Sequence, residues 1–217
     1  MLTTQLSTLQ IIAVAILPVL LAVIIHEVAH GWVAYRLGDD TAYMMGRLTL
    51  NPLKHIDPIG TILVPLVLIL TAGVAFGWAK PVPINFRKLH KPKRDTALVA
   101  VAGPAANLLM AIIWLLLAKI ATLLPDGLSA LAVPLTYMST FGVLINSILM
   151  VFNLIPIPPT DGGRIMTSLL PVRIAYPLSK VEPYGLIIIL ILLLTGVIWQ
   201  LLDVVIQFVM YILSAVL

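Results

Sequence analysis

The sequence predicts an all-α polytopic membrane protein, a bundle of about four to six transmembrane or re-entrant helical segments with a short β-hairpin-like membrane-associated region. Three observations carry that expectation. Of 217 residues, 61% are hydrophobic and only 10% charged, too few charges to solvate the surface of a soluble domain of this size. Apolar runs near the length of a bilayer span, about 20 residues, recur along the chain. Lipid offers the backbone no hydrogen-bond partner, so each span must satisfy its own polar groups, which favours helices. The chain has no cysteine, which excludes disulfides and thiolate ligands and leaves nitrogen and oxygen to hold any metal. The formal net charge is +4. In a membrane protein Lys and Arg chiefly report orientation, so the expected partner is the lipid bilayer and no nucleic acid is expected.

Taken in order, the N-terminal "MLTTQLSTLQ" carries no basic residue and does not read as a cleaved signal peptide. The first span is expected over 9–37. A polar, turn-rich stretch, "GDDTAYMMGRLTLNPLKHIDPIG", follows, and its alternation from Met45 to Leu50 suggests a hairpin strand. The apolar 59–77 is broken by Pro65, Gly73 and Gly77. After it comes the most basic stretch, "AKPVPINFRKLHKPKRD". Further spans are expected over 96–124, 133–152 and 184–202. The remaining 203–217 is short for a span and is expected at the interface or against the bundle. No internal repeat interrupts 1–217, which reads as a single integral-membrane domain.

The basic residues give the orientation. Arg36, Arg47 and Lys54 follow the first span; Lys80, Arg87, Lys88, Lys91, Lys93 and Arg94 precede the next long one; Arg164, Arg173 and Lys180 follow the third. All but Lys119 then share one face, provided 59–77 enters and returns on the same side. By the positive-inside rule that face is cytosolic and the N-terminus is outside. Lys119 snorkels at the opposite interface.

The stretch "AVIIHEVAHGWVAYRLGDD" places two histidines and a glutamate inside an apolar span. His26 and His30 are spaced i, i+4 and stack on one helix face, with Glu27 offset by about 100°. This is the HExxH pattern: two imidazoles reach one zinc ion while the glutamate stays off the metal and accepts a proton. Ionisable groups inside a span cost roughly 2.5–3.5 kcal/mol each on translocon scales, so three at adjacent turns need a common reason. A catalytic zinc commonly takes three protein ligands. The best third is Asp161 in "FNLIPIPPTDGGRI", where Pro156, Pro158 and Pro159 stop the preceding helix. The alternative for Asp161 is a helix cap for the segment beginning near Arg164.

These residues resemble the site-2 protease family of intramembrane zinc metalloproteases. The resemblance rests on HExxH at His26, Glu27 and His30, on "NLIPIPPTDGG" from Asn153 to Gly163, and on "AGPAANLL" from Ala102 to Leu109. It implies that His26, His30 and Asp161 bind one catalytic Zn2+, that Glu27 is the general base, and that Asn107 and Asn153 lie beside the site. It further implies protein substrates that are themselves transmembrane helices, as in regulated intramembrane proteolysis. Nothing in the chain resembles the PDZ or CBS domains of some relatives. The expected location is a prokaryotic cell membrane, multi-pass, with the site toward the cytosol.

Parity asks for the same topology without the resemblance. His30 and Asp161 both stand at the C-terminal ends of their spans, so an even number of crossings must separate them, and 59–77 must dip in and return. In the expected reaction Glu27 shuttles a proton. Asn107 or Asn153 either donates to the oxyanion or ties helices together, and a strand over Met45 to Leu50 holds an extended substrate. His55 and Asp57 form a side-chain-held turn rather than a second metal pair. His90 reads as solvated and Asp203 as a cap near the end of its span. Trp32, Trp78, Trp114 and Trp199 mark interfaces or packing. A metal transporter or metal sensor is the rival function, but a transport path needs polar residues through both leaflets, and the outer halves of the spans are almost wholly apolar.

Overall fold

The computed structural model describes residues 7–73 and 77–217. Among the described residues it contains nine α-helices and no β-strand. The first, α1 (Thr8–Arg36), opens on a capping box in which Gln10 N–H donates to Ser7 Oγ and Ser7 N–H to Gln10 Oε1. Its 29 residues rise about 43 Å, more than the roughly 30 Å of a hydrocarbon core. The long helices α4 (Pro92–Thr122) and α5 (Ser129–Asn153) answer the spans expected at 96–124 and 133–152. Helix α4 begins earlier than expected because Pro92 suits the first turn and Asp95 Oδ2 accepts the Lys91 N–H at 2.7 Å. The mutual packing of α1, α4 and α5 forms the centre of the bundle. Trp114 of α4 lies against the bare Gly142 of α5, in a cluster with Val143, Val209 and Leu213.

Of the apolar 59–77, residues 74–76 lie outside the described residues, and the described part is a short excursion. Asp57 Oδ1 accepts the N–H groups of Ile59 and Gly60, starting a π-helical turn (Pro58–Leu63) that runs into α3 (Val64–Ala72), which ends at the left-handed Gly73. Six and nine residues rise at most about 22 Å together, short of a crossing. The two ends of the excursion are tied to each other. Trp78 N–H donates to Gly60 C=O at 3.0 Å, Lys80 N–H to His55 C=O at 2.9 Å, and Thr61 Oγ1–H to Trp78 C=O at 2.9 Å. The chain thus returns to where it departed, as parity requires.

Four expectations need correction. Met45 to Leu50 forms no strand. After α2 (Thr41–Met44) the chain turns through Gly46 at φ 62°, and Arg47 N–H returns to Ala42 C=O at 2.9 Å, so the backbone closes on its own helix instead of offering a ladder. The span expected at 184–202 is two helices, α8 (Glu182–Leu194) and α9 (Val197–Val216), parted at Gly196 with φ 85°. An apolar run with a left-handed glycine has uniform hydropathy and a broken backbone. The residues 203–217 are therefore most of a 20-residue helix long enough to cross, and α9 packs on α5 and α4. Asp203 is not an end cap: it lies within α9, exposed, with its Oδ2 accepting from Gln207 Nε2 at 2.7 Å.

Between α5 and α8 the chain forms α6 (Asp161–Leu169) and α7 (Val172–Ser179), and α7 meets α8 at 68°. The long helices α1, α4, α5 and α9, the bent pair and the short excursion together make a multi-pass, all-α membrane protein. At the bundle end away from the site, Lys119 Nζ donates to Val216 C=O at 3.1 Å.

Candidate metal centre and active site

Helix α1 delivers His26 and His30 to α4 as an antiparallel pair. His26 Nδ1 is 2.6 Å from Asn107 Oδ1, and His30 Nδ1 is 2.7 Å from Val99 C=O. Both oxygens are acceptors, so each Nδ1 carries the proton and each Nε2 is left with a bare lone pair. Those two Nε2 atoms are 3.0 Å apart and both residues are buried. Val99, Gly103 and Asn107 follow each other at i, i+4 along α4, one face pressed to the histidines. Gly103 is there because nothing larger fits: a Cβ on it would stand 2.4 Å from His30 Nε2 and 2.5 Å from His26 Cε1.

Asp161 is the first residue of α6, and the cap of that helix is Thr160, whose Oγ1 accepts the Gly163 N–H at 3.2 Å. The capping alternative for Asp161 therefore falls away, because the aspartate carboxylate is free of that task. Its Oδ2 is buried, receives no hydrogen bond, and lies 3.3 Å from His26 Nε2 and 3.2 Å from His30 Nε2. Three electron-rich atoms facing one another without a proton between them repel unless a cation is shared. Tetrahedral zinc with bonds of about 2.0–2.1 Å holds its ligand atoms about 3.3 Å apart, close to the sides of this triangle. The donor set, the orphaned oxygen and the Gly103 hollow all fit a zinc ion. Among the described residues this is the group able to hold a metal.

Glu27 lies beside the triangle, half-buried, and its Oε2 accepts the Val82 N–H at 2.8 Å. Val82 belongs to an irregular strap, 77–86, that crosses the site and whose contact with Glu27 sequence reasoning did not give. The strap is held from below by Arg47, whose Nη2 donates to Lys80 C=O at 3.1 Å and Pro81 C=O at 3.2 Å. It is held beyond by Asp39 Oδ2, which accepts the Asn85 N–H at 2.6 Å. Nearby, Lys88 Nζ pairs with Asp40 Oδ1 at 2.6 Å, and that hydrogen bond holds the exposed Asp40 carboxyl below its usual range.

A cavity of about 150 Å³ contains His26, Glu27, His30 and Asp161. A larger one, about 400 Å³, runs from His26 and Glu27 between the strap and α8. Asn153 borders both, with its Nδ2 donating to Leu149 C=O at 2.9 Å. Asn107 does not face them. Its two amide protons go to Ala22 C=O at 3.1 Å and Asn146 Oδ1 at 2.9 Å, so it has none for a substrate and orients His26 instead. Arg164, one turn beyond Asp161, borders both cavities and was read from sequence only as an orientation charge. His55 and Asp57 hold local turns: His55 Nε2 is 2.9 Å from Thr49 C=O and Asp57 caps the π-helical turn. His90 is exposed, Trp114 is a packing residue, and Trp32 and Trp199 are about half exposed.

The family model for peptidase family M50 matches residues 14–130 and 120–196. YwhC of Bacillus subtilis strain 168, whose name describes a candidate zinc metalloprotease, is 43% identical over 183 residues, which cover 82% of this chain and 80% of YwhC. Rip2 of Mycolicibacterium smegmatis, named in the same way, is 32% identical over 177 residues. Rip2 of Mycobacterium tuberculosis H37Rv is 28% identical over 175 residues. Each match covers 81% of this chain but 64% of Rip2, so the chain spans less than two thirds of those relatives. No solved structure gives a significant match. The chain belongs to peptidase family M50, the site-2 protease family, and is a zinc-dependent peptidase of the membrane.

Proposed function

We propose that the protein is an intramembrane endopeptidase that hydrolyses peptide bonds within or near transmembrane helices of other membrane proteins, with the site toward the cytosol and the N-terminus outside. His26, His30 and Asp161 hold the zinc ion, and Glu27 is the general base. When bound, the ion supplies Lewis-acid polarisation of the scissile carbonyl and lowers the pKa of water toward about 7. Glu27 accepts a proton from the attacking water and returns it to the leaving amine. Asn107 keeps the Nε2 of His26 unprotonated, and Asn153 faces the substrate. Water enters beneath the strap, which must loosen its Val82 hydrogen bond as Glu27 begins to act.

The observation that carries this reading is the convergence of two bare Nε2 atoms and the unpartnered Asp161 Oδ2, with Glu27 beside them, at the basic end of a membrane span. The test is incubation of purified wild type and Glu27→Gln with a panel of single-span substrates. Wild type is expected to cut in or beside the apolar segment. Glu27→Gln is expected to keep its zinc and lose at least about 10²-fold in rate. Cleavage confined to soluble unfolded peptides, or a Glu27→Gln protein that still cuts, sinks the proposal.

A further inference from the structure

Arg164 has no described partner that uses its donors well. Its Nη2 is 3.6 Å from Glu182 Oε1, beyond hydrogen-bond distance, and the guanidinium lies 5.3 Å over the ring of Phe86 in the strap. An ion pair this long between side chains more than a third exposed contributes little, so it leaves the guanidinium free to bind elsewhere. Phe86 steers the planar group without consuming an N–H. Being i+3 from Asp161 on α6, the side chain borders the same cavities as His26 and Glu27. The site therefore contains a fixed positive fork that neither metal binding nor proton transfer employs.

Hydrolysis supplies a matching anion. Water adds across the C–N bond, leaving a carboxylate on the N-terminal fragment and an amine on the C-terminal one. A planar guanidinium binds a carboxylate bidentately, and such charge-assisted pairs are the strong ones. Before the cut the same fork can donate to a neutral backbone carbonyl of the extended substrate. We propose that Arg164 is a substrate-contacting residue that grips the carbonyl side of the scissile segment and then the new α-carboxylate, retaining the N-terminal fragment after cleavage. This rests on the active-site reading above.

The test is a binding measurement in detergent with no turnover. A fluorescent Leu/Ala peptide ending in a free α-carboxylate is compared with the same peptide ending in a carboxamide, on zinc-loaded Glu27→Gln protein. The carboxylate form is expected to bind about tenfold tighter or more, the scale of one charge-assisted hydrogen bond. Adding Arg164→Gln or Arg164→Ala should collapse that ratio by about tenfold, Arg164→Lys should keep part of it, and Glu182→Gln should keep it all. Any share owed to the metal is common to every variant and cancels when the ratios of two variants are compared, with zinc content measured alongside. A ratio unchanged in both the Gln and Ala variants overturns the proposal, as does its loss in Glu182→Gln. Because Glu27 takes no part in this readout, failure here is distinguishable from failure of the cleavage test.

Discussion

His26 Nδ1 and Asn107 Oδ1 meet at 2.6 Å across the α1–α4 interface, although 81 residues separate them in sequence. Asn107 is fully buried and every polar atom it has is engaged, so this contact sets which nitrogen of His26 is free. Replacing Asn107 with Leu should lower zinc affinity about 10–100-fold, while Asp, which still accepts from Nδ1, should hold it closer to wild type. Competition with a chelator reads both. Equal affinities for all three proteins would reduce Asn107 to a helix tie.

Asp161→Asn exchanges a charged ligand oxygen for a neutral one at the same place. Zinc content should drop substantially after dialysis against a chelator that leaves wild type loaded. Full occupancy in this variant would remove Asp161 from the ligand set.

Gly103→Val should abolish zinc binding, because even a Cβ at this position invades the space of both imidazoles. The overpacking also costs stability, about 1–3 kcal/mol on the usual scale. Elemental analysis of the folded fraction separates the two effects. Retained zinc in that fraction would show that α4 can draw back from the histidines.

Topology can be read with single cysteines, since the native chain has none. Lys54→Cys and Lys91→Cys should both react with an impermeant thiol reagent from the cytosolic side, and Ser129→Cys only from outside. Outside labelling of Lys91→Cys would make 59–77 a crossing, contrary to the hydrogen bonds that tie its two ends together.

What could be read from the sequence depended on whether the information was local. The i, i+4 histidines and the proline-stopped aspartate are local patterns with few uses, and the helix parity that brings them together follows from counting spans. The break at Gly196 was invisible because hydropathy does not register a positive φ. Asn107 was expected near His26 but could not be aimed, since nothing short of three packed helices says which way its amide points. The strap's bond to Glu27 was not legible: Pro81 and Pro83 announce irregular backbone, but only tertiary packing puts the Val82 N–H on Glu27. Arg164 was counted as a charge, although its spacing from Asp161 already placed both on one face of α6.

The bonds that join Gly60 to Trp78 and His55 to Lys80 have a mechanical meaning. They join the apolar excursion and the strap into one lever, with its long arm in Pro58–Leu63 and Val64–Ala72 and its short arm ending at Val82 on Glu27. Arg47, gripping the carbonyls of Lys80 and Pro81 between the two arms, is the fulcrum. A displacement of the excursion would therefore be carried through these bonds to the strap, and along it to the hydrogen bond on Glu27.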